Sequence, residues 1–247
     1  MFDTRLWNVM FAGRIDPRGW IFIGIGFCIS ALFFLVHTKL ALFCSGITLG
    51  VALFFRDPDR CTPTKSDLIV SPADGLILDI VDCLAPAELD LGPGPWTRIS
   101  IFLNLWDVHV NRFPVEGRVL QVSYSPGKFL EAFKDGASLE NERCGVVIQV
   151  AQGFQVACVQ IAGWLARRIV CDAHPEQLAQ KGEKYGIICF GSRVDLYLPK
   201  PHVEILATPH QRTIAGETIL GVLREEREHK SFITKQEAVL EIKKLII

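Results

Sequence analysis

Two uncharged stretches near the N-terminus constrain this chain more than anything else in it. WIFIGIGFCISALFFLV (20–36) and LALFCSGITLGVALFF (40–55) run 17 and 16 residues without a charge, with only His37, Thr38 and Lys39 between them. Each is apolar on every side rather than along one stripe, so a water-soluble domain has little means of hiding the pair. A perpendicular helix needs about 20 apolar residues to cross the hydrocarbon core, which makes each run a short span. The pattern predicts a membrane-associated helical hairpin over 19–55, crossing fully or entering as a shallow re-entrant insertion. Arg5, Arg14 and Arg18 precede it, Arg56 and Arg60 follow it, and Lys39 alone lies at its tip. That asymmetry places both ends, and everything after Arg60, on the cytoplasmic face of the cell (inner) membrane. No small-x-small site follows the first run, so a cleaved signal peptide fits less well.

Residues 1–18 then form a cytoplasmic N-terminal segment, and the polar, Pro-punctuated stretch 56–66 reads as a linker. From 67 to 247 short apolar runs recur between Gly and Pro. Strands are expected at 69–70, 76–81, 97–103, 115–124, 146–150, 156–161, 193–198 and 203–206, and helices at 128–133, 174–181 and 231–245. In 193–198 the polar residues alternate with Val194, Leu196 and Leu198, the pattern of a strand with one buried and one wet face. FPVEGRVLQV (113–122) and TIAGETILGV (213–222) each set a Gly turn between alternating apolar residues, as hairpins of barrel-sandwich folds do. The fold class is α+β and β-rich: a barrel-sandwich-like antiparallel β domain preceded by the helical hairpin.

With 26 basic and 27 acidic residues the formal charge is −1, and nothing global points to nucleic acid. The eight cysteines include no C-x-x-C pair and no Cys/His cluster at zinc spacing, so reduced, mostly buried thiols and no metal are expected. Chemistry has to come from elsewhere. Gly191-Ser192 stands at the mouth of the 193–198 strand, where glycine costs backbone entropy and marks a bend or a close approach, and the serine adds a hydroxyl able to cap, turn or attack. His109 is either a satisfied core residue or a proton carrier. Asp74, followed by Gly75, is either part of a hairpin turn or a working carboxylate.

These residues lie inside longer motifs: SPADG (71–75), DVHVNRFPVEG (107–117), YSPGKF (124–129), ENER (140–143), IAGWLARRI (161–169) and YGIICFGSRVDLYLP (185–199). In this combination and order the chain resembles the short, membrane-associated form of the phosphatidylserine decarboxylase family over essentially its whole length. The resemblance implies a proenzyme that cuts itself between Gly191 and Ser192. The Ser192 hydroxyl attacks the Gly191 carbonyl to give an ester, and elimination with loss of ammonia leaves a pyruvoyl group as cofactor on an α chain of 192–247, beside a β chain of 1–191. The pyruvoyl ketone would form a Schiff base with the serine amine of the lipid and act as the electron sink for decarboxylation to phosphatidylethanolamine. It further implies proton handling by His109 and a part for Asp74 in self-cleavage.

One departure matters. The longer form of the family carries a second histidine three residues after the first, where this sequence has Arg112, and arginine is a poor base. The base for Ser192 is therefore open between His109 and Asp74 acting through water. Arg112, Lys128, Arg167 and Arg168 are candidates for binding the anionic headgroup. The implied partners are the phospholipid in its membrane and the two chains of one proenzyme; homo-oligomer formation stays open. Two other functions fit the residues: decarboxylation of a related serine-headgroup lipid such as archaetidylserine, and a non-catalytic membrane adaptor of barrel-sandwich type. Neither Gly-turn segment, however, carries the lysine that a carrier presents for modification.

Overall fold

The computed structural model describes residues 13–130, 137–164, 168–189 and 191–224. The expected helix at 231–245 lies outside the described residues. Chain order runs β1 (Gly13–Ile15), α1 (Gly19–Phe34), α2 (Thr38–Phe54), β2 (Arg56–Pro58), β3 (Leu68–Val70), β4 (Gly75–Cys83), β5 (Trp96–Leu103), β6 (Val110–Arg112) and β7 (Gly117–Ser125). It continues with α3 (Ala137–Glu140), β8 (Arg143–Gln149), β9 (Gln155–Ile161), β10 (Ile169–Cys171), β11 (Leu178–Ala179), β12 (Lys184–Ile188), β13 (Ser192–Pro199), β14 (Val203–Ile205), β15 (Arg212–Thr213) and β16 (Ile219–Leu223).

The apolar runs do form a helical hairpin. Its helices have 16 and 17 residues, about 24 and 26 Å at a rise of 1.5 Å per residue. That is short of the roughly 30 Å hydrocarbon core, and among the described residues no helix is long and apolar enough to cross a membrane. Beyond Lys39 both helices are apolar nearly all round, and most of their large side chains, such as Phe27, Phe34 and Phe43, stay exposed. Apart from the seam between the helices, where Ser30 and Ala41 are buried, only the base is packed. Phe54 and Phe55 join Val108, Val110 and Ile187 in a small core of their own. Residues 56–58, expected in a linker, instead pair antiparallel with β1, Arg14 opposite Asp57. Buried Asp16 ties this ribbon to the domain, since it receives both Arg18 and Lys184.

The domain is built on an eight-stranded antiparallel sheet in the order β11-β7-β8-β9-β13-β5-β4-β15, curled into a half-barrel. Two three-stranded sheets, β10-β12-β6 and β14-β16-β3, close its inner face. The main core lies between these layers: Ile77, Ile101, Ile148 and Val194 from the large sheet meet Ile69, Tyr185 and Leu220 from the small ones. Inward residues recur every second position along β5 and β13, as a pleated strand requires.

Two expected elements are corrected. The segment 174–181 is not a helix: Glu176 takes φ +72° and its N–H donates to the Val119 carbonyl, so the chain adds a two-residue edge strand to β7 instead. At 128–133 the described part is not helical either, because Lys128 bridges Asn141 in extended form; residues 131–133 lie outside the described residues. The half-wet reading of 193–198 also fails, since every residue of β13 is buried. The 3₁₀ turn Ala87–Leu89 and α3 cover its outer face, where Leu89 packs with Tyr197 and Ser138 reaches the strand. The polar residues there satisfy each other: Arg193 Nε donates to Asp195 Oδ1 at 2.6 Å, Arg193 Nη2 to Ser100 Oγ at 2.5 Å, and Ser138 Oγ to Asp195 Oδ2 at 2.8 Å.

This pair is fully enclosed, so removing one partner leaves an uncompensated charge in the interior. Asp195→Ala is expected to destabilise the fold by about 3–5 kcal/mol. A urea midpoint equal to that of the wild type would show that the pair carries no such weight.

Candidate active site

Strand register brings one end of the half-barrel together. Ser192 opens β13 opposite Leu103, the last residue of β5, while Arg193 faces Ile161, the last of β9. On the other side of β5, Leu76 pairs with Phe102, so Asp74 and Gly75 reach the same end. Two strand spacings, about 10 Å, separate the β4 and β13 backbones there. Ser192 shares the inward row of Val194 and Leu196, and its hydroxyl is fully buried with no hydrogen-bond partner among the described residues. A buried hydroxyl left unpaired costs about 1–3 kcal/mol. Gly191 ahead of it holds φ +63°, the left-handed conformation that glycine adopts without penalty.

His109 follows β5 and leads into β6, with its carbonyl accepting the Ile188 N–H at 3.3 Å. Ile188 stands only four residues before Ser192, at most roughly 14 Å of chain away. The imidazole is fully buried. Its Nδ1 lies 2.9 Å from the Asp107 carbonyl, an oxygen that can only accept, so Nδ1 carries the proton and Nε2 presents its lone pair. Nε2 has no partner among the described residues. Burial lowers the imidazole pKa to about 4, the Arg56 charge adding to the effect and the Asp107 carbonyl opposing it. The ring rests on Phe54 at a centroid distance of 4.3 Å, so the hairpin's last residue forms part of its dry wall.

Asp74 sits in the turn before β4. Arg60 Nη2 reaches both its carboxylate oxygens at 2.9 and 3.0 Å, and the Ala215 N–H donates to Oδ1 at 2.7 Å. Burial pushes this carboxyl up from the ordinary range against the pull of Arg60 and that N–H. Asp107 accepts from the Asn104 N–H at 2.8 Å and from Arg212. Arg56, whose guanidinium donates to the Leu53 and Trp106 carbonyls at 2.6 Å each, feels the charges of both Asp74 and Asp107. A mixed cluster of acids and guanidinia therefore surrounds the histidine side of the site.

The four basic candidates fare differently. Arg112 is drawn away from the site: it donates to Gly182 O at 3.1 Å, Asp57 Oδ1 at 2.5 Å and Pro58 O at 3.2 Å, clamping the β1–β2 ribbon to the domain. Lys128 is exposed and paired with Glu140 at 2.8 Å. Arg168 is exposed, and its carbonyl takes the Cys189 N–H, two residues from Gly191. Arg167 lies outside the described residues. All eight cysteines are free thiols, and among the described residues no group of three or more His, Cys, Asp or Glu is placed to hold a metal ion. Sequence reasoning missed Phe54, Arg56 and Arg60 as parts of the site, having counted them only as an apolar run and its flanking charges.

The model of the phosphatidylserine decarboxylase family matches residues 47–221 of this chain. A phosphatidylserine decarboxylase proenzyme of Rickettsia rickettsii (strain Sheila Smith) is 47% identical over 207 residues, 84% of this chain and 89% of the relative. The proenzyme so named from Ruegeria pomeroyi is 44% identical over 214 residues, 87% of this chain and 97% of the relative. That from Rickettsia bellii (strain OSU 85-389) is 47% identical over 209 residues, with 84% and 89% covered. The chain belongs to the phosphatidylserine decarboxylase family.

The histidine makes a pH prediction. An unfolded chain protonates it near the usual 6.5, the folded chain only near 4, so between those values the unfolded state holds more protons. The stability contributed by neutral His109 is complete above about pH 6.5 and declines as pH falls toward 4, by about 3 kcal/mol in all. Denaturation midpoints of the wild type should fall through this window more steeply than those of His109→Gln; parallel curves would contradict the buried neutral state. Phe54→Ala, which lets water reach the ring, should narrow the window by raising the lower pKa.

Proposed function

We propose that this chain is a self-processing decarboxylase that converts phosphatidylserine to phosphatidylethanolamine and CO2 by means of a pyruvoyl group made from Ser192. The observation that carries the reading is the buried Ser192 hydroxyl, without a partner among the described residues, directly after a left-handed Gly191. Membership of a family whose relatives are named proenzymes supports it.

His109 Nε2 is the base for self-cleavage in this reading. Its lone pair is buried and has no partner among the described residues, whereas the Asp74 carboxylate is already engaged by Arg60 and the Ala215 N–H, and Arg112 is committed to the ribbon. As Ser192 Oγ bonds to the Gly191 carbonyl carbon, its proton passes to Nε2; the C–N bond then breaks and the nitrogen takes a proton, leaving an ester. Asp74 and Arg60 hold the 71–75 turn against β15 and balance the charge nearby. After elimination the chain is divided into 1–191 and 192–247.

The position suits the group it would hold, because residue 192 lies in the inward row at the open end of β13 rather than at a solvated turn. When formed, a pyruvoyl ketone supplies the link to the substrate amine and the electron sink for loss of CO2. His109 then returns a proton to the carbon that has lost CO2; an imidazolium held in so dry a place gives up its proton readily. Arg168, beside the Cys189 backbone, is the basic side chain best placed for the anionic headgroup.

The exposed hairpin of 19–55 anchors the enzyme at the cytoplasmic face of the cell membrane, with 67–247 as the catalytic domain. Leu105, Trp106 and Trp164, all exposed, lie in loops that follow β5 and β9 at the Ser192 end, and such side chains suit a lipid interface. A diacyl lipid keeps its tails in the bilayer, so an enzyme acting on its headgroup gains by opening there.

On denaturing electrophoresis the wild type should run as two chains, the smaller trapping hydroxylamine, and Ser192→Ala should run as one. A cleaved Ser192→Ala product would remove Ser192 from its role. His109→Ala should run largely as one uncut chain, with lipid decarboxylation at least about 10²-fold below the wild type; wild-type cleavage and turnover in this variant would remove His109. The full chain should float with phosphatidylserine vesicles, and replacing Phe27, Leu35 and Phe43 by Ser should leave it in the aqueous fraction.

A further inference from the structure

Two more fully buried polar side chains meet at this end of the barrel and lack enough partners. Gln160 Nε2 donates to Asn111 Oδ1 at 2.8 Å, across the gap between the large sheet and the β10-β12-β6 sheet. Among the described residues, Asn111 Nδ2 and Gln160 Oε1 have no hydrogen-bond partner, and both residues are completely enclosed. Exchanging oxygen and nitrogen in both amides changes nothing in this count: one amide N–H2 and one amide oxygen still remain unsatisfied. Each such group costs about 1–3 kcal/mol. An apolar pair would fill the space without that cost.

Their placement is specific. Gln160 pairs with Val194, which makes it the diagonal, same-face neighbour of Ser192 across β9 and β13, with Cβ atoms about 7–8 Å apart. Asn111, in β6, stands two residues beyond His109, which immediately precedes that strand. Gly186, opposite Asn111 on β12, provides the room: a Cβ there would lie 2.9 Å from Gln160 Nε2. Among the described residues, Ser192 on β13, Gln160 on β9, Asn111 on β6 and His109 just before β6 thus each carry a buried polar atom without a partner. Ser192 and His109 provide a nucleophile and a base. What that set lacks is a donor for the oxygen that becomes negative.

Resting on the self-cleavage reading above, we propose that Asn111 Nδ2 donates the hydrogen bond that stabilises the oxyanion on the Gly191 carbonyl, and that Gln160 is the positioning residue that fixes the Asn111 amide. When Ser192 Oγ adds to that carbonyl carbon, the C=O electron pair moves onto oxygen while the hydroxyl proton goes to His109 Nε2. Collapse restores the C=O bond, breaks the C–N bond and gives the nitrogen that proton, so the ester holds the same atoms as the peptide. A fixed donor in a dry site stabilises the adduct more than the starting amide, because the charge exists only in the adduct.

Asn111→Asp tests this, since it keeps the shape and the acceptor that Gln160 uses but removes the N–H2. In the full-length chain, pulse-chase electrophoresis should show self-cleavage slowed about 10²- to 10³-fold. The melting temperature of the uncut form, compared in a Ser192→Ala background, should stay near that of Ser192→Ala alone. Gln160→Ala should slow cleavage less. Should the Asp variant not fold, Asn111→Ser and Asn111→Ala decide: the serine, still a donor, should cleave faster than the alanine. Cleavage of the Asp variant at the wild-type rate, or Ser and Ala variants cleaving alike, would overturn the role of Asn111 while leaving Ser192 in place. Cleavage of Ser192→Ala would instead remove the reading on which it rests.

Discussion

Burial of a hydroxyl that no described residue satisfies is the condition on which the rest of this structure turns. Ser192 could have opened β13 at a solvated turn, where its Oγ would bond to water at no cost. Instead the antiparallel register sets it opposite Leu103 in the inward row, and the small β10-β12-β6 sheet closes over it. Sealing that space explains why the neighbouring polar groups are also dry. It explains why His109 is neutral. The left-handed Gly191 lets the chain enter the strand from a direction that a residue with a side chain would resist.

The hairpin and the site share a boundary. Phe54 ends the second helix and rests on the His109 ring, and two residues later Arg56 adds its charge to the same neighbourhood. The β1–β2 ribbon is fastened by Arg112 and by the Asp16–Lys184 contact, so the base of the apolar segment is held rigidly to the domain. The second helix therefore ends directly against the histidine.

Much of this was legible in the sequence, for reasons that can be named. The helices announce themselves by two runs without charge, and β4, β5, β8 and β9 by apolar alternation long enough to rise above chance. Gly191-Ser192, His109 and Asp74 stand out through the motifs around them. What stayed hidden depends on long-range pairing. Strands of two or three residues, such as β6, β10 and β11, have too little pattern to be seen and exist because a neighbour supplies their hydrogen bonds. The Arg193–Asp195 pair looks wet because alternation reports polarity, not cover, and the cover comes from α3 and the 87–89 turn. The Asn111–Gln160 contact joins residues 49 positions apart and has no local signature at all. Arg112 stood out for its charge, yet its partners in the ribbon could be found only in the fold.

The intact mass of the smaller chain from wild-type protein tests the central claim most directly. The account predicts a fragment spanning 192–247 whose first residue is a serine less one ammonia, the mass of a pyruvoyl end. A single 27.6 kDa chain with full lipid turnover, or a small fragment that begins with an unaltered serine, would contradict it.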